Sequence, residues 1–153
     1  MEIVMAYSHL LIAIDLTEDC HRVLDRANAL CQALSCQATL VHVVEPLTMA
    51  FGGDVPMDLS LLQQQQTEQA QKKLNILAEQ HQLLKENNCH LRYGQPRQEI
   101  HLLAKEQHCD LIIVGSHGRH GLALLLGSTT NDLLSGAPCD VLAVDLKDHD
   151  PED

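Results

Sequence analysis

Apolar residues are spaced along this chain in two ways that take turns. Four short runs are almost continuously apolar: Leu10 to Ile14, Ala38 to Val44, Leu111 to Val114 and Val141 to Val144. Such runs lack the period-two alternation of a half-exposed strand and predict strands, with Leu10 to Ile14 buried on both faces and Leu111 to Val114 buried as well. Between them, apolar residues recur at steps of three and four. Cys20, Val23, Leu24, Ala27, Leu30, Cys31 and Leu34 make one stripe of a helix. Ile100, Leu103 and Ala104 mark a shorter helix, expected to reach about Gln107. A long polar helix is expected from Asp58 to about Asn87, with Gln63 to Gln66 solvated and Ala70, Leu74, Leu77, His81 and Leu84 as its buried stripe.

The junctions add detail. Asp15 ends the first strand, and Thr17 can cap the next helix, with Glu18 and Asp19 suited to its positive end. Leu47 to Met57 has Gly52, Gly53 and Pro56 and no period, so it reads as a loop. Cys89 to Tyr93 alternates, which predicts a strand with a polar face or one near a sheet edge. Gly94-Gln95-Pro96 is a turn that sets Pro96 at the first position of a helix. A last helix is expected from Thr129 to Ser135, stopped by Gly136-Ala137-Pro138, before the fifth strand, Asp140 to Val144. The order β-α-β-α-β-α-β-α-β predicts one α/β domain over residues 1–153. Its five-stranded parallel sheet carries helices on both faces, with an ordered core of about 8–146 and an acidic tail at 147–153. Ligands of such Rossmann-like sheets bind beyond the C-terminal strand ends, where strand order reverses.

One of those ends is unusual. Gly115, Gly118, Gly121 and Gly127 are four of the chain's eight glycines, and they follow the fourth strand directly. Glycines between a strand and a helix let backbone N–H groups approach a ligand, and the helix start adds donors and partial positive charge, which together suit phosphate. A tight turn before a surface loop is the other reading of the same glycines. The stretch is not a Walker loop, since no G-K-[S/T] follows, nor the dinucleotide G-x-G-x-x-G. Arg119 is the guanidinium within it and the natural phosphate partner. Asp15 can accept from a ribose hydroxyl or an amino group, or can serve simply as an anion at a helix start.

Composition narrows the partners. A net charge of −11 disfavours nucleic acid and anionic membrane. No apolar run approaches the roughly 20 residues of a membrane span. The first residues have no basic flank or long apolar region, so a cytoplasmic setting is expected. The six cysteines have no C-x-x-C pair and fall mostly in apolar patterns, which predicts reduced, buried thiols. His117 and His120 lie in the glycine loop with no Cys or carboxylate close by, so no protein-bound metal is expected. His42, inside an apolar strand, reads as a hydrogen-bonded core residue. Ser116 and Ser128 lack the G-x-S-x-G setting of a nucleophile, and no catalytic set is visible.

Three segments carry a resemblance to the universal stress protein family, and within it to the A type. They are His9-Leu10-Leu11-Ile12-Ala13-Ile14-Asp15-Leu16-Thr17, then Leu40-Val41-His42-Val43, and Ile113-Val114-Gly115-Ser116-His117-Gly118 through Gly127-Ser128. The resemblance implies an adenine nucleotide alpha hydrolase-like fold and a site for ATP, with or without Mg. By position, Ala13 and Asp15 would neighbour adenine and ribose, and Val43 would contact adenine through its backbone. Val114, Gly115 and Gly118 would flank ribose and phosphate. Gly127, Ser128, Thr129 and Thr130 would cradle the phosphates, beside Arg119. It further implies a stress-response regulatory module with slow hydrolysis at most, and a homodimer paired through Val141–Val144. Two departures stand out. Eight residues, Arg119 to Leu126, separate Gly118 from Gly127 where the family motif G-x2-G-x9-G-[S/T] has nine. Ala13 also stands where nucleotide binders often have Pro. The A type proper lacks the glycine motif, so a nucleotide-independent homodimer is the alternative.

Overall fold

A computed structural model describes residues 6–47, 58–81, 88–116 and 133–146. Five strands form one parallel sheet: β1 (His9–Ala13), β2 (Gln37–Val44), β3 (Cys89–Tyr93), β4 (Leu111–Gly115) and β5 (Asp140–Val144). Three helices are described: α1 (Cys20–Leu34), α2 (Asp58–Gln80) and α3 (Pro96–Glu106). The strand order is β3-β2-β1-β4-β5. The chain builds outward from β1 through β2 to β3, then returns to the other side of β1 with β4 and β5. The order therefore reverses between β1 and β4.

Alternation along the central strands divides the core into two layers. Leu10, Ile12, Ile14, Leu40, Leu111 and Ile113 meet the α1 stripe Cys20, Val23, Leu24, Ala27 and Cys31, with Leu74 and Leu77 of α2. Leu11, Ala13, Val41, Val43, Ile112 and Val114 meet Ile100, Leu103 and Ala104 of α3, together with Leu133. Both faces of β1 and β4 are thus dry, which explains their unbroken apolar runs. β3 lies at one edge and is only partly buried, as its alternating sequence predicts. β5 forms the other edge and leaves Leu142 37% exposed.

Some local expectations are corrected. Thr17 does not cap α1; the N-cap is Asp19, in helical conformation and without a side-chain cap bond, because the Thr17 hydroxyl is taken up by Asp15 at 2.6 Å. α2 stops at Gln80, short of Asn87, and residues 82–87 lie outside the described residues. The expected last helix mostly lies outside them too. Its described part, 133–135, belongs to a turn ending at Gly136, whose φ of 75° only glycine adopts cheaply. The loop at 48–57 and the tail at 147–153 also lie outside the described residues.

The start of β1 is tied to the start of β4 by one carboxylate. Asp110 accepts from the Ser8 amide at 2.7 Å, the Ser8 hydroxyl at 2.9 Å and the His9 amide at 3.0 Å, while its own amide donates to the His9 carbonyl at 2.9 Å. Burial pushes its pKa up, but these hydrogen bonds outweigh burial and hold it below the ordinary 3.8. A depressed carboxylate contributes stability that is present above its unfolded-state value and is lost as pH falls through the folded-state value. Wild-type stability, measured by urea unfolding across pH, should therefore drop below about pH 3.8 more steeply than that of Asp110→Asn. Equal slopes would show that the carboxylate contributes nothing there.

Candidate functional site

The candidate site is built where β1 leaves the sheet. Its last ladder bond runs from the Ile14 amide to the Val41 carbonyl at 3.0 Å. Leu16 then takes a left-handed conformation, φ 64°, which is costly for a bulky residue and turns the chain away from β2. Asp15 holds this turn: one carboxylate oxygen, Oδ1, accepts from both the Thr17 amide, at 3.0 Å, and the Thr17 hydroxyl, at 2.6 Å. The carboxylate is thereby oriented at the sheet's C-terminal edge, with Oδ2 outside this pair of bonds.

β2 runs on past this point to Val44. Along a parallel strand, successive peptides face alternate neighbours. Val41 faces β1, through its carbonyl, and Val44 faces β3, its carbonyl accepting from the Gly94 amide at 3.0 Å. The Val43 peptide consequently faces the side that β1 has left. A small cavity opens there, lined by Ala13, Ile14, Val41, His42, Val43, Pro96 and Ile100. At about 20 Å³ it has room for one water, so a larger ligand would lie across its mouth. His42 is among the lining residues, between Val41 and Val43. The ring is buried, and Nδ1 lies 2.7 Å from the Ile14 carbonyl. A carbonyl only accepts, so Nδ1 carries the proton. The core role expected for His42 is observed, and its bond also fixes the peptide that precedes Asp15.

β4 supplies the opposite wall. Val114 is buried, and a Cβ on Gly115 would come within 2.7 Å of Leu146 Cδ1. Glycine lets Leu146 lie against the strand. The Ser116 amide donates to the Val144 carbonyl at 2.8 Å, continuing the β4–β5 ladder. The Ser116 hydroxyl oxygen is buried without a hydrogen-bond partner among the described residues. Buried polar groups are normally satisfied, so this oxygen is a feature that sequence reasoning missed. Its place between Gly115 and the remaining glycines was the available signal. Nearby, burial first, then the charges of Asp15 and Asp19, push the Cys20 thiol up to about 11, which keeps it protonated and unreactive.

Ala13, Asp15, Val43, Val114 and Gly115 thus come together around one edge of the sheet. Gly118, Arg119, Gly127, Ser128, Thr129 and Thr130 lie outside the described residues, as do His117 and His120. Among the described residues no three His, Cys, Asp or Glu side chains are grouped to hold a metal, and no helix is long and apolar enough to cross a membrane. A wider hollow of about 400 Å³ lies beside α1 and β5, lined by Arg22, Asp25, Arg26, Ala29, Val144 and Asp145. Among the described residues, none of those expected to bind lines it.

The sheet order and the two-sided helical cover define a doubly wound, Rossmann-like α/β domain. Within that class, the chain belongs to the universal stress protein family, whose family model matches residues 6–145. It is 38% identical to universal stress protein A homolog 1 of Coxiella burnetii (strain RSA 493 / Nine Mile phase I) over 146 residues, covering 94% of this chain and all of that protein. Among solved structures it resembles hypothetical protein MJ0577, with a TM-score of 0.74, 25% identity, and coverage of 95% of this chain and 100% of the other. It shares its fold with the universal stress protein from Archaeoglobus fulgidus in complex with dAMP, with a TM-score of 0.58, 19% identity, and coverage of 91% and 98%.

Replacing His42 by Leu should cost about 1–3 kcal/mol in urea unfolding, because the Ile14 carbonyl loses its buried donor while the side-chain volume is kept. A cost near zero would show that this bond does not hold the end of β1.

Proposed function

We propose that this protein binds an adenine nucleotide, ATP with or without Mg, in the crevice between the ends of β1 and β4. It would serve as a regulatory module of the stress response in a cytoplasmic setting, with slow hydrolysis at most. The observation that carries this reading is the placement of Asp15 and Gly115. They stand just past β1 and at the end of β4, the two neighbours between which the strand order reverses.

The residues suggest a division of labour. Asp15 Oδ2 accepts from the ribose, and Ala13 lies under the base. The Val43 peptide offers one donor and one acceptor to the adenine edge. Val114, Gly115 and Gly118 border ribose and phosphate, with the buried Ser116 hydroxyl as a further donor. Arg119, Gly127, Ser128, Thr129 and Thr130 receive the phosphates through a guanidinium, hydroxyls and backbone amides. Mg would be held mainly by the phosphates and water, which needs no dedicated carboxylate cage. The dAMP complex of the Archaeoglobus fulgidus relative supports an adenine nucleotide as the ligand class.

Nucleotide extracted from the purified, denatured protein and identified by mass spectrometry tests the ligand. Mg-ATP at 100 times its dissociation constant should stabilise the fold by about 2.7 kcal/mol, and Gly118→Val should abolish that gain. No carried nucleotide and no stabilisation would instead favour the nucleotide-independent A-type homodimer.

We also propose a homodimer paired through Val141–Val144. β5 has hydrogen-bonding groups on one side committed to β4, and Leu142 is exposed on one of its faces. An uncovered apolar edge strand invites pairing with another chain. Sedimentation should give twice the chain mass for the wild type and a shift toward monomer for Leu142→Lys. A wild-type monomer would overturn the pairing.

A further inference from the structure

All six cysteines are free thiols, and two of them touch. Cys36 Sγ donates to Cys31 Sγ across 3.5 Å. The contact follows from how α1 ends. Ser35 adopts the left-handed conformation, φ 53°, and both its amide and that of Cys36, the latter at 3.2 Å, turn back to the Cys31 carbonyl. This six-to-one closure with a left-handed residue brings the side chain after the turn back over the last helical turn, where an apolar contact is usual. Here both partners of that contact are cysteines. Cys31 is buried against the core at 4% exposure, while Cys36 is half-buried and packs on the same layer. The pair sits before β2, at the sheet end opposite to Asp15 and Gly115, so it is separate from the proposed nucleotide site.

We propose that Cys31 and Cys36 form a reversible dithiol–disulfide couple, a peroxide-reactive modification site that clips the end of α1 to the start of β2. Cys36, the more accessible sulfur, attacks hydrogen peroxide as its thiolate. The O–O bond breaks, Cys36 becomes a sulfenic acid, and the departing hydroxide leaves as water with a proton from solvent. The Cys31 sulfur then attacks the Cys36 sulfur. The S–O bond breaks, and hydroxide takes the Cys31 proton and leaves as a second water. In total the two thiols lose two electrons and two protons, and one peroxide is reduced to two waters. The 3.5 Å separation matches the approach distance of roughly 3–3.5 Å for reacting atoms. Side-chain rotation must then close it to the roughly 2.05 Å of a disulfide. Burial first, and then the hydrogen bond from Cys36, push the Cys31 thiol up to about 12, which suits the second thiol to enter rather than the first. A small dithiol reductant returns both thiols by exchange.

The test uses the full chain. After stoichiometric peroxide, alkylation under denaturing conditions and peptide mass analysis, the peptide carrying both cysteines should be two hydrogens lighter and unalkylated at both sulfurs. Dithiothreitol should restore two alkylation sites. In Cys36→Ser, Cys31 should remain alkylatable after the same treatment. The proposal is overturned if both thiols stay alkylatable while Cys109, Cys139 or another cysteine is oxidised, or if Cys31 and Cys36 bridge only between chains. The wild-type mass measurement decides between these outcomes even if the variant folds poorly.

Discussion

β1 is bonded on both sides, to β2 and to β4, and it must leave the sheet before β2 does. That early departure is the constraint on which the candidate site depends. Three devices enforce it: the left-handed Leu16, the Asp15 carboxylate folded onto Thr17, and the His42 ring donating to the Ile14 carbonyl. None is a packing effect alone. A bulky residue in the left-handed region persists only where its surroundings over-determine it. Here the surroundings are Leu16 itself, packed against the α1 layer, and the two hydrogen-bonded anchors on either side of it. Because the turn is fixed, the Val43 peptide faces a gap rather than a neighbouring strand, and an oriented carboxylate sits beside that gap.

The fold was largely legible because the sheet is parallel and doubly covered. A strand such as Leu111–Gly115, buried at every residue, must read as an apolar run, and α1 must show a stripe to cover it. The errors lie where local chemistry has two outlets. Thr17 has the hydroxyl of a good cap, but Asp15 two residues earlier offers a stronger, charged acceptor, and the hydroxyl goes there. Residues 133–135 carry a helical pattern but lie in a turn before Gly136, since a pattern does not fix where a short element stops.

The site was legible in a different way. Asp15 and Gly115 were marked by type and by position at strand ends, which sequence order supplies directly. Their closeness follows only from the strand order, which puts β1 beside β4 although α1, β2, α2, β3 and α3 intervene. Val43 could be assigned only by resemblance, because its contribution is backbone, and backbone groups carry no residue signature. Ser116 has no nucleophile setting in the sequence; its informative property, a buried oxygen with no partner among the described residues, exists only in the fold. The cysteines were expected as buried thiols in apolar patterns; Cys20, Cys31 and Cys109 are buried, whereas Cys36, Cys89 and Cys139 are only partly so. Their spacing hid one fact, since residues five apart do not share a face within a helix. Cys31 and Cys36 meet because the helix ends between them.

The electrostatics of the proposed site follow from the same backbone logic. A chain of net charge −11 repels a polyanionic nucleotide at long range, and Asp15 adds a fixed negative charge at the crevice. Binding therefore cannot rest on a cationic surface, as it does for nucleic-acid binders. In the proposed site it would come from short-range donors: backbone amides of the glycine-rich stretch, the Ser128, Thr129 and Thr130 hydroxyls, the Arg119 guanidinium, and any Mg carried in with the phosphates. Such donors lie at fixed positions along the chain. That is why the number of residues between Gly118 and Gly127 matters more here than the number of charges.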